Sequence, residues 1–472
     1  MSDKNQDKMG LIGLITLIMT TIIGSGIFNL TKEMAGVASV KAVMLGWIIT
    51  GIGMGALALS MQGVSRLRPD LDSGIFSYAL EGFGAYIGFN SAWGYWVSNL
   101  IKNAAYGTLM FSALSYFFPV FGQGQNLPSL IGASCVLWGI HFLVLQGNKS
   151  LNLLNITILI AKLSPIILFV LVTGLAFNSE LFAQDFWSRL STNVSLGPTN
   201  SQVKDTMLVT VFSFIGLESA VAFSGKARKQ ADVGRSTMIA FSAVTLIYAL
   251  VTILAYGIMT REELASLPNP AMAYILEKLI GPFGATFVNI GIIISIFGAW
   301  FSSTLLGEEV VYQSAHQGLF PAIFDKRNDK LVSVTSLTLS TVCIQVLFLT
   351  FLVIPNAYSY LTKLSSATIL LSYACIACFY IKLLRNNKDK ASNGKGILVA
   401  VLAADYMVWL IYASGPKFMM LTILTLFPGT LVYAYLRRRK DLTIFNRLEW
   451  VLMGLMAIGF VYSLGQLSVL FK

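Results

Sequence analysis

Charged side chains are scarce in this sequence. Only 12% of its 472 residues are Asp, Glu, Lys or Arg, whereas 56% are hydrophobic, and the mean hydropathy is +0.72. Soluble globular chains carry about 25% charged residues, so this composition excludes that class. No polar stretch is long enough for a soluble domain. The long polar connection at 178–205 is bounded on both sides by apolar segments. The composition predicts an integral membrane protein without a separate soluble domain.

Histidine and cysteine are rare as well. The chain has two histidines, and its four cysteines, Cys135, Cys343, Cys375 and Cys378, all lie within apolar segments. Two histidines cannot form the usual ligand cluster of a metal site, and the Cys-x-x-Cys pair has no strand beside it. We therefore expect buried thiols, no metal and no cofactor.

Apolar stretches occur along the whole chain, and a spanning helix needs about 20 such residues. The sequence predicts thirteen segments, near residues 10–30, 42–62, 84–118, 127–147, 151–177, 206–226, 236–259, 281–315, 332–354, 357–383, 396–414, 417–437 and 447–470. The last is the weakest, so we expect 12 to 13 transmembrane helices. They form one all-α integral membrane domain over 1–472, with a core at 10–383 and additional C-terminal helices at 396–470.

The net charge of +11 follows membrane topology and does not indicate a nucleic-acid partner. Basic residues gather in alternate loops: Arg66 and Arg68; Lys226, Arg228, Lys229 and Arg235; Lys326, Arg327 and Lys330; Lys382, Arg385, Lys388 and Lys390; and Arg437, Arg438, Arg439 and Lys440. By the positive-inside rule these loops and the N-terminus are cytoplasmic, and thirteen spans would leave Lys472 outside. The first apolar stretch has no cleavage site of a signal peptide. We expect a multi-pass protein of the inner (plasma) membrane.

Two predicted helices are interrupted near their middle. Gly24-Ser25-Gly26 divides the first segment, and the stretch from Ser213 to Ser219 places Gly216 and Glu218 at mid-membrane in the sixth. Irregular backbone at that depth occurs only where it is buried in protein or lines a cavity. An unwound point leaves free N–H groups at a half-helix N-terminus, which suit a carboxylate. Interruptions five helices apart are typical of inverted-repeat transporters.

Several motifs together resemble the amino acid/polyamine/organocation superfamily. They are Gly24-Ser25-Gly26-Ile27-Phe28, the stretch from Phe212 to Ser219, Gly298-Ala299-Trp300, Gln317-Gly318-Leu319-Phe320-Pro321, and Tyr95-Trp96 with Asn103 and Ser115-Tyr116-Phe117-Phe118-Pro119. The likeness covers the chain to about residue 440 and points to the basic amino acid/polyamine antiporters, especially the arginine/ornithine exchanger branch. It implies an inverted-repeat core of five plus five helices (LeuT-like) with discontinuous helices one and six.

The resemblance also implies a function. It predicts a sodium-independent secondary transporter that exchanges a cationic amino acid (arginine, lysine, histidine or ornithine) for a related amino acid or its decarboxylated amine. An exchanger of acidic or neutral amino acids, of aspartate, glutamate or tyrosine type, is the alternative, and from another class a membrane channel. No nucleophile and base pair suggests an enzyme. The expected partners are the small-molecule substrate and the lipid bilayer. A homodimer is compatible with the sequence, which does not decide it.

The amino and carboxylate groups of the substrate are expected at the two breaks. Amides near Ser25 and Gly26 are free to bind a carboxylate, because glycine lets the backbone unwind. Ile22 offers a carbonyl to the amino group, and the resemblance adds carbonyls between Phe212 and Ile215. A glycine-rich face for helix packing is the structural alternative.

One face of helix three carries polar residues at spacings of three and four: Ser98, Asn99, Lys102, Asn103 and Tyr106. The resemblance makes this face the pocket for the substrate side chain. Lys102 departs from the family pattern, because its charge would repel a cation unless an acid such as Glu308 or Glu309 neutralises it. If Lys102 points into the pocket, an acidic or neutral substrate is favoured. If it pairs elsewhere, the cationic prediction stands.

Ionisable residues inside spans are costly and therefore functional candidates. By resemblance, Glu218 acts in gating or proton sensing, with a hydrogen-bonded structural acid as the alternative. Lys162 resembles the lysine at the sodium-site position of sodium-independent members. There its ammonium would tie the unwound first helix to its scaffold, and pairing with a helix-eight glutamate is the alternative.

Aromatic residues complete the predicted site by resemblance. Tyr95, Phe212 and Trp300 are expected as gates around the substrate, and Trp300 is also expected to contact it. In helix ten, Ser365 is expected to line the pocket and Tyr373 is expected to belong to the gate.

Overall fold

The computed structural model describes residues 9–71, 74–147, 152–187, 196–219, 228, 230–386 and 394–467. Within these ranges the regular elements are all helices, which confirms the predicted all-α class. The helices are α1 (Leu11–Ile22), α2 (Leu30–Ala35), α3 (Val40–Leu67), α4 (Ile75–Phe83), α5 (Ala85–Leu114), α6 (Leu127–Leu145), α7 (Asn152–Leu175), α8 (Ser179–Phe186), α9 (Thr199–Phe214), α10 (Gln230–Ala255), α11 (Arg261–Ser266), α12 (Ala271–Ile280), α13 (Pro282–His316), α14 (Val334–Leu347), α15 (Ala357–Asn386), α16 (Gly394–Ala413), α17 (Gly415–Arg439) and α18 (Arg447–Gly465). Short 3-10 helices lie at Ser25–Asn29, Pro119–Phe121, Ala322–Phe324 and Phe348–Leu352.

Among the described residues, 10 helices are long and apolar enough to cross a membrane, or 11 if the bent pair formed by α1 and Ser25–Ala35 is one span. Two predicted segments do not meet this test. The helix α5 has 30 residues but carries the polar face described above, which lowers its hydropathy, and α9 has only 16 residues. The count of 12 to 13 spans therefore stays a prediction.

Short helices occupy several connections between the long ones. Asn178 Oδ1 starts α8 by accepting hydrogen bonds from the N–H groups of Glu180 and Leu181, as a helix cap requires.

Charged residues are also found in the connections between helices. Before α4, Arg68 binds Asp70 at 2.7 Å and holds the pKa of that exposed carboxyl below its usual range. Lys226, Lys229, Lys388, Lys390 and Lys472, on which part of the predicted topology depends, lie outside the described residues.

The chain divides into two compact units. The first contains the described parts of Met1–Leu59, Tyr106–Ala133 and Lys149–Trp300. In this unit α1 packs along α10, and α10 contacts α7. Its buried core contains Trp47, whose ring centroid lies 5.9 Å from that of Tyr248 and 6.4 Å from that of Phe214. Both interrupted segments belong to this unit.

The second unit contains the described parts of Ser60–Ala105, Ser134–Asn148 and Phe301–Lys472. Here α15 packs against α4, α16 and α17, and α17 packs against α18. An aromatic cluster of Phe89, Trp93, Trp96 and Phe320 fills part of its interior. Most of the predicted polar face of α5 belongs to this unit.

Candidate functional site

The first segment breaks where the sequence predicts. The helix α1 ends at Ile22, Gly24 is extended, and the 3-10 helix Ser25–Asn29 begins a new direction, so that the two halves are bent by 53°. All five residues of the 3-10 helix are buried. The first N–H groups of a helix have no acceptor within it. Ser25 Oγ also has no hydrogen-bond partner among the described residues. The break is thus a buried point with an unused hydroxyl.

In the sixth segment, α9 stops before a turn at Gly216, here called the second break, and this turn touches the last turn of α1. The helix α9 ends at Phe214, and Gly216 has a φ of +123°, a backbone conformation that favours glycine. A Cβ atom at Gly216 would lie 2.7 Å from the carbonyl oxygen of Thr21. Glycine is therefore required both by the turn and by the close approach of the two backbones.

A tyrosine that the sequence analysis did not select joins the two breaks. The hydroxyl of Tyr248, on α10, lies 3.0 Å from the carbonyl oxygen of Ile22 and 3.0 Å from that of Ser213. A hydroxyl has one proton, so it can donate to only one of these carbonyls at a time. The acceptors predicted for an amino group thus lie together, and they share a single donor.

Glu218 and Phe212 lie directly at the breaks. The N–H of Gly216 donates to Glu218 Oε2 at 3.0 Å, and Glu218 is 6% exposed. This contact fits the structural alternative for the acid, because it closes the turn of the sixth segment. The ring of Phe212 packs on the first segment, where a Cβ at Gly26 would lie 3.1 Å from Phe212 Cδ1.

Lys162 reaches the end of α1 from α7. Its Nζ donates to the carbonyl oxygen of Thr20 at 2.8 Å, and the residue is 3% exposed. Among the described residues no carboxylate lies within 4.0 Å of this ammonium. The contact that the structure shows for this ammonium is with the last turn of α1 before the break.

Three further predicted residues are buried in the first unit. The Tyr106 hydroxyl would lie 3.8 Å from a Cβ at Gly24, which places it beside the first break. Ile215 follows α9 directly, and Trp300 in α13 is fully buried.

In the second unit, two predicted pocket residues bind each other. Ser98 Oγ donates to the carbonyl oxygen of Ser365 at 2.8 Å, and Ser365 Oγ donates to that of Ser98 at 2.9 Å. These reciprocal bonds join α5 to α15. Both hydroxyl protons are used between the helices.

Asn99 and Asn103 form a network with Ser303 of α13. The Nδ2 groups of both asparagines donate to Ser303 Oγ at 3.1 Å, and Asn103 Nδ2 also lies 2.8 Å from Asn99 Oδ1. Asn103 Oδ1 is buried without a hydrogen-bond partner among the residues described. Since Asn99 and Ser303 occupy the donor side of the Asn103 amide, the side chain presents an unused acceptor.

Lys102, Tyr95 and Tyr373 are also buried in this unit, with Lys102 7% exposed. The two acids named as its neutralising partners have other contacts. Glu308 Oε1 accepts the N–H of Ser333 at 2.6 Å, and Glu309 binds Arg327. Whether an acid neutralises Lys102 stays a prediction.

The sequence also matches a family of known proteins. The sequence pattern of the amino acid permease family matches residues 9–462. The chain belongs to the amino acid permease family.

Curated relatives resemble this amino acid permease over nearly their whole length. The arginine/ornithine antiporter of Pseudomonas aeruginosa is 38% identical, with 97% of each chain covered. The arginine/ornithine antiporter of Latilactobacillus sakei is 36% identical over 98% of this chain and 97% of its own. The arginine/agmatine antiporter of Chlamydia pneumoniae is 35% identical over 99% of both.

Sequence reasoning missed two polar contacts of this permease. Tyr248 lies in an apolar run, and Ser303 lies in a helix whose most prominent residues are its two acids and Trp300. In both cases the sequence shows only a hydroxyl group in a spanning segment. Its role can be predicted only when the polar groups of the neighbouring helix are known.

Proposed function

We propose that this permease exchanges a cationic amino acid for a related amino acid or its decarboxylated amine. The names of the relatives, arginine/ornithine and arginine/agmatine antiporters, support a cationic substrate. The observation that carries the proposal is the meeting of the two helix breaks at Gly216 and Tyr248. A buried helix start with an unused Ser25 hydroxyl, beside two carbonyls that share a donor, matches the two charged groups of an α-amino acid.

In this proposal the backbone of the substrate is read mainly by main-chain groups. Its carboxylate binds the amides around Ser25 and Gly26, together with the unused Ser25 hydroxyl. Its ammonium donates to the Ile22 carbonyl and to carbonyls at the end of α9, up to Ile215, where Tyr248 supplies a single proton. An ammonium has three protons and can satisfy all of these acceptors at once.

The polar face of α5 is proposed to select the substrate side chain. Its members are Ser98, Asn99, Lys102, Asn103 and Tyr106, with Ser365 from α15. The unused acceptor of Asn103 favours a side chain that donates hydrogen bonds, as guanidinium and ammonium groups do. Burial of Lys102 supports the second candidate, an exchanger of acidic or neutral amino acids.

Sodium independence and gating belong to the same proposal. The Lys162 ammonium beside the Thr20 carbonyl supports a fixed charge in place of a bound sodium ion. Glu218 is proposed to act in gating or proton sensing, because it is a buried acid beside the second break. The aromatic residues Tyr95, Phe212, Trp300 and Tyr373 are proposed as gates that act during alternating access.

The proposed architecture is an inverted-repeat core of five plus five helices (LeuT-like) with 12 to 13 spans and a cytoplasmic N-terminus. Breaks in segments one and six, five helices apart, support the repeat. The core is proposed at 10–383 of a single transporter domain in the plasma membrane, with the helices of 396–470 as additions.

Exchange in proteoliposomes tests the function. Purified permease is reconstituted in vesicles preloaded with ornithine or agmatine, with glutamate or with nothing, and uptake of labelled arginine, lysine or aspartate is measured with and without a sodium gradient. We expect arginine uptake only against internal ornithine or agmatine, with no effect of sodium. Equal uptake into empty vesicles would reject exchange. Aspartate uptake against glutamate that is lost in Lys102→Ala would instead establish the second candidate.

A further inference from the structure

Four exposed cationic side chains surround the junction between α17 and α18: Arg438, Arg439, Lys440 and Arg447. Among the described residues no carboxylate lies within 4.0 Å of any of them. Glu449, an acid of the same junction, accepts the N–H of Asn446 at 2.8 Å and so completes the cap that starts α18. The junction therefore carries positive charge that no ion pair in the described part of the chain neutralises.

The junction holds these charges on a fixed turn. Arg437 Nε and Nη2 both donate to the carbonyl oxygen of Thr443, at 2.9 Å and 2.7 Å. Phe445 is buried 5.8 Å from the ring of Tyr433. Arg437 thus closes the turn after α17, whereas the next three cations are not needed for that contact.

Apolar and aromatic side chains are exposed beside the charges. Leu448 is 68% exposed and Trp450 is 53% exposed at the start of α18, and Tyr435 is 62% exposed near the end of α17. Both helices are long and apolar enough to cross a membrane, so their junction lies at a membrane surface. Trp and Tyr are enriched at that level, where a ring contacts both acyl chains and headgroups.

We propose that the α17–α18 junction binds the headgroup phosphate of an anionic phospholipid. Clusters of Lys and Arg directly beside a spanning helix attract anionic lipids, by about five-fold in affinity per charge near the surface. The phosphate contacts the guanidinium groups of Arg438 and Arg439, with Lys440 and Arg447 nearby, and the acyl chains lie along the exposed side of α18. This inference rests on the membrane location of the permease and not on the identity of its substrate.

Binding of short-chain phosphatidylglycerol to the purified full-length permease tests the site. The variant Arg438→Gln/Arg439→Gln is compared with Lys41→Gln/Lys278→Gln, a matched control that removes two exposed charges elsewhere. We expect about 25-fold weaker binding in the first variant and less than two-fold change in the control. Phosphatidylcholine should bind equally weakly to all three proteins. Thermal unfolding without added lipid checks that each variant is folded.

Three results would overturn the proposal. An equal loss of binding in the control variant would indicate a general effect of net charge. Phosphatidylcholine binding as tight as phosphatidylglycerol binding would indicate an apolar surface only, and displacement by inorganic phosphate at equal concentration would indicate a soluble anion. If the arginine variant does not fold, the proposal is tested on the wild-type protein by comparing phosphatidylglycerol with phosphatidylcholine and by adding inorganic phosphate. High salt must weaken phosphatidylglycerol binding strongly, because salt screens exposed charges.

Discussion

Gly216 is the residue whose missing side chain matters most to the candidate site. Its φ of +123° and the 2.7 Å separation between a potential Cβ and the Thr21 oxygen are independent constraints. A residue with a side chain would have to move either the turn of the sixth segment or the last turn of α1. The two broken segments approach each other because this position is glycine.

Gly216→Ala should therefore destabilise the protein and abolish exchange. The positive φ alone costs on the order of 1–3 kcal/mol, and the backbone contact adds to that. Gly139→Ala is the matched control, since no atom lies within 4 Å of its potential Cβ. Thermal unfolding and arginine uptake are measured for both. An unchanged melting temperature in Gly216→Ala would show that the two backbones are not in close contact.

Tyr248→Phe should make the protein more dependent on substrate for its stability. Without the hydroxyl, the buried carbonyls of Ile22 and Ser213 both lose their shared donor, at a cost of about 1–3 kcal/mol. A substrate ammonium would restore donors to them. The rise in melting temperature on adding arginine should thus be larger in the variant than in the wild type.

Tyr256→Phe is the control for this experiment. Its hydroxyl donates to the Ala38 carbonyl at 2.7 Å and contacts neither break. The variant should lose stability without any change in the arginine-induced shift. If both variants respond to arginine alike, Tyr248 has no special relation to substrate.

At the scale of helices, the last turn of α1 is held by an ammonium from α7. The bond from Lys162 to the Thr20 carbonyl is a charge-assisted hydrogen bond within a buried region. Because α1 stops two residues later, this bond fixes the position of the whole helix end.

Lys162→Met should lower exchange by about 10-fold to 100-fold, since a hydrogen bond from a charged group contributes about 1.5–3 kcal/mol. Lys382→Met is a matched control, because Lys382 Nζ also donates to a backbone carbonyl, that of Gly82, at 2.7 Å. The control should lose stability with a smaller effect on exchange. Uptake is measured at equal amounts of folded protein. Equal losses of exchange in the two variants would argue against a special role of Lys162.

The helix pattern shows what sequence could and could not predict. Glycines within an apolar run located the break of the first segment, and Gly216 with Glu218 located the end of α9, because such residues are unfavourable in the middle of a spanning helix. The short helix α8 was missed, since its start depends on a cap at Asn178 and not on apolar periodicity. Tyr248 was missed for a different reason. A buried hydroxyl becomes informative only when the carbonyls opposite it are known.

For the whole molecule, the number of spans decides the location of the C-terminus. Thirteen spans with a cytoplasmic N-terminus place Lys472 outside, whereas twelve spans place it in the cytoplasm. Fusion of a reporter that is active only outside the membrane, joined after Lys472, should give signal, and the same reporter at the N-terminus should not. Signal from neither fusion would indicate an even number of spans and remove the last predicted span.

The shared proton of Tyr248 has a consequence for the transport cycle. An exchanger works only if the empty carrier seldom crosses back. If the substrate ammonium binds these carbonyls as proposed, the empty protein has one hydroxyl proton for two buried acceptors and leaves one of them less well satisfied than the loaded protein does. A deficit of about 1–3 kcal/mol, if it grows as the breaks close, slows the empty return by roughly 5-fold to 150-fold. Obligatory exchange would then follow because the Tyr248 hydroxyl has one proton for the two carbonyl groups at the helix ends.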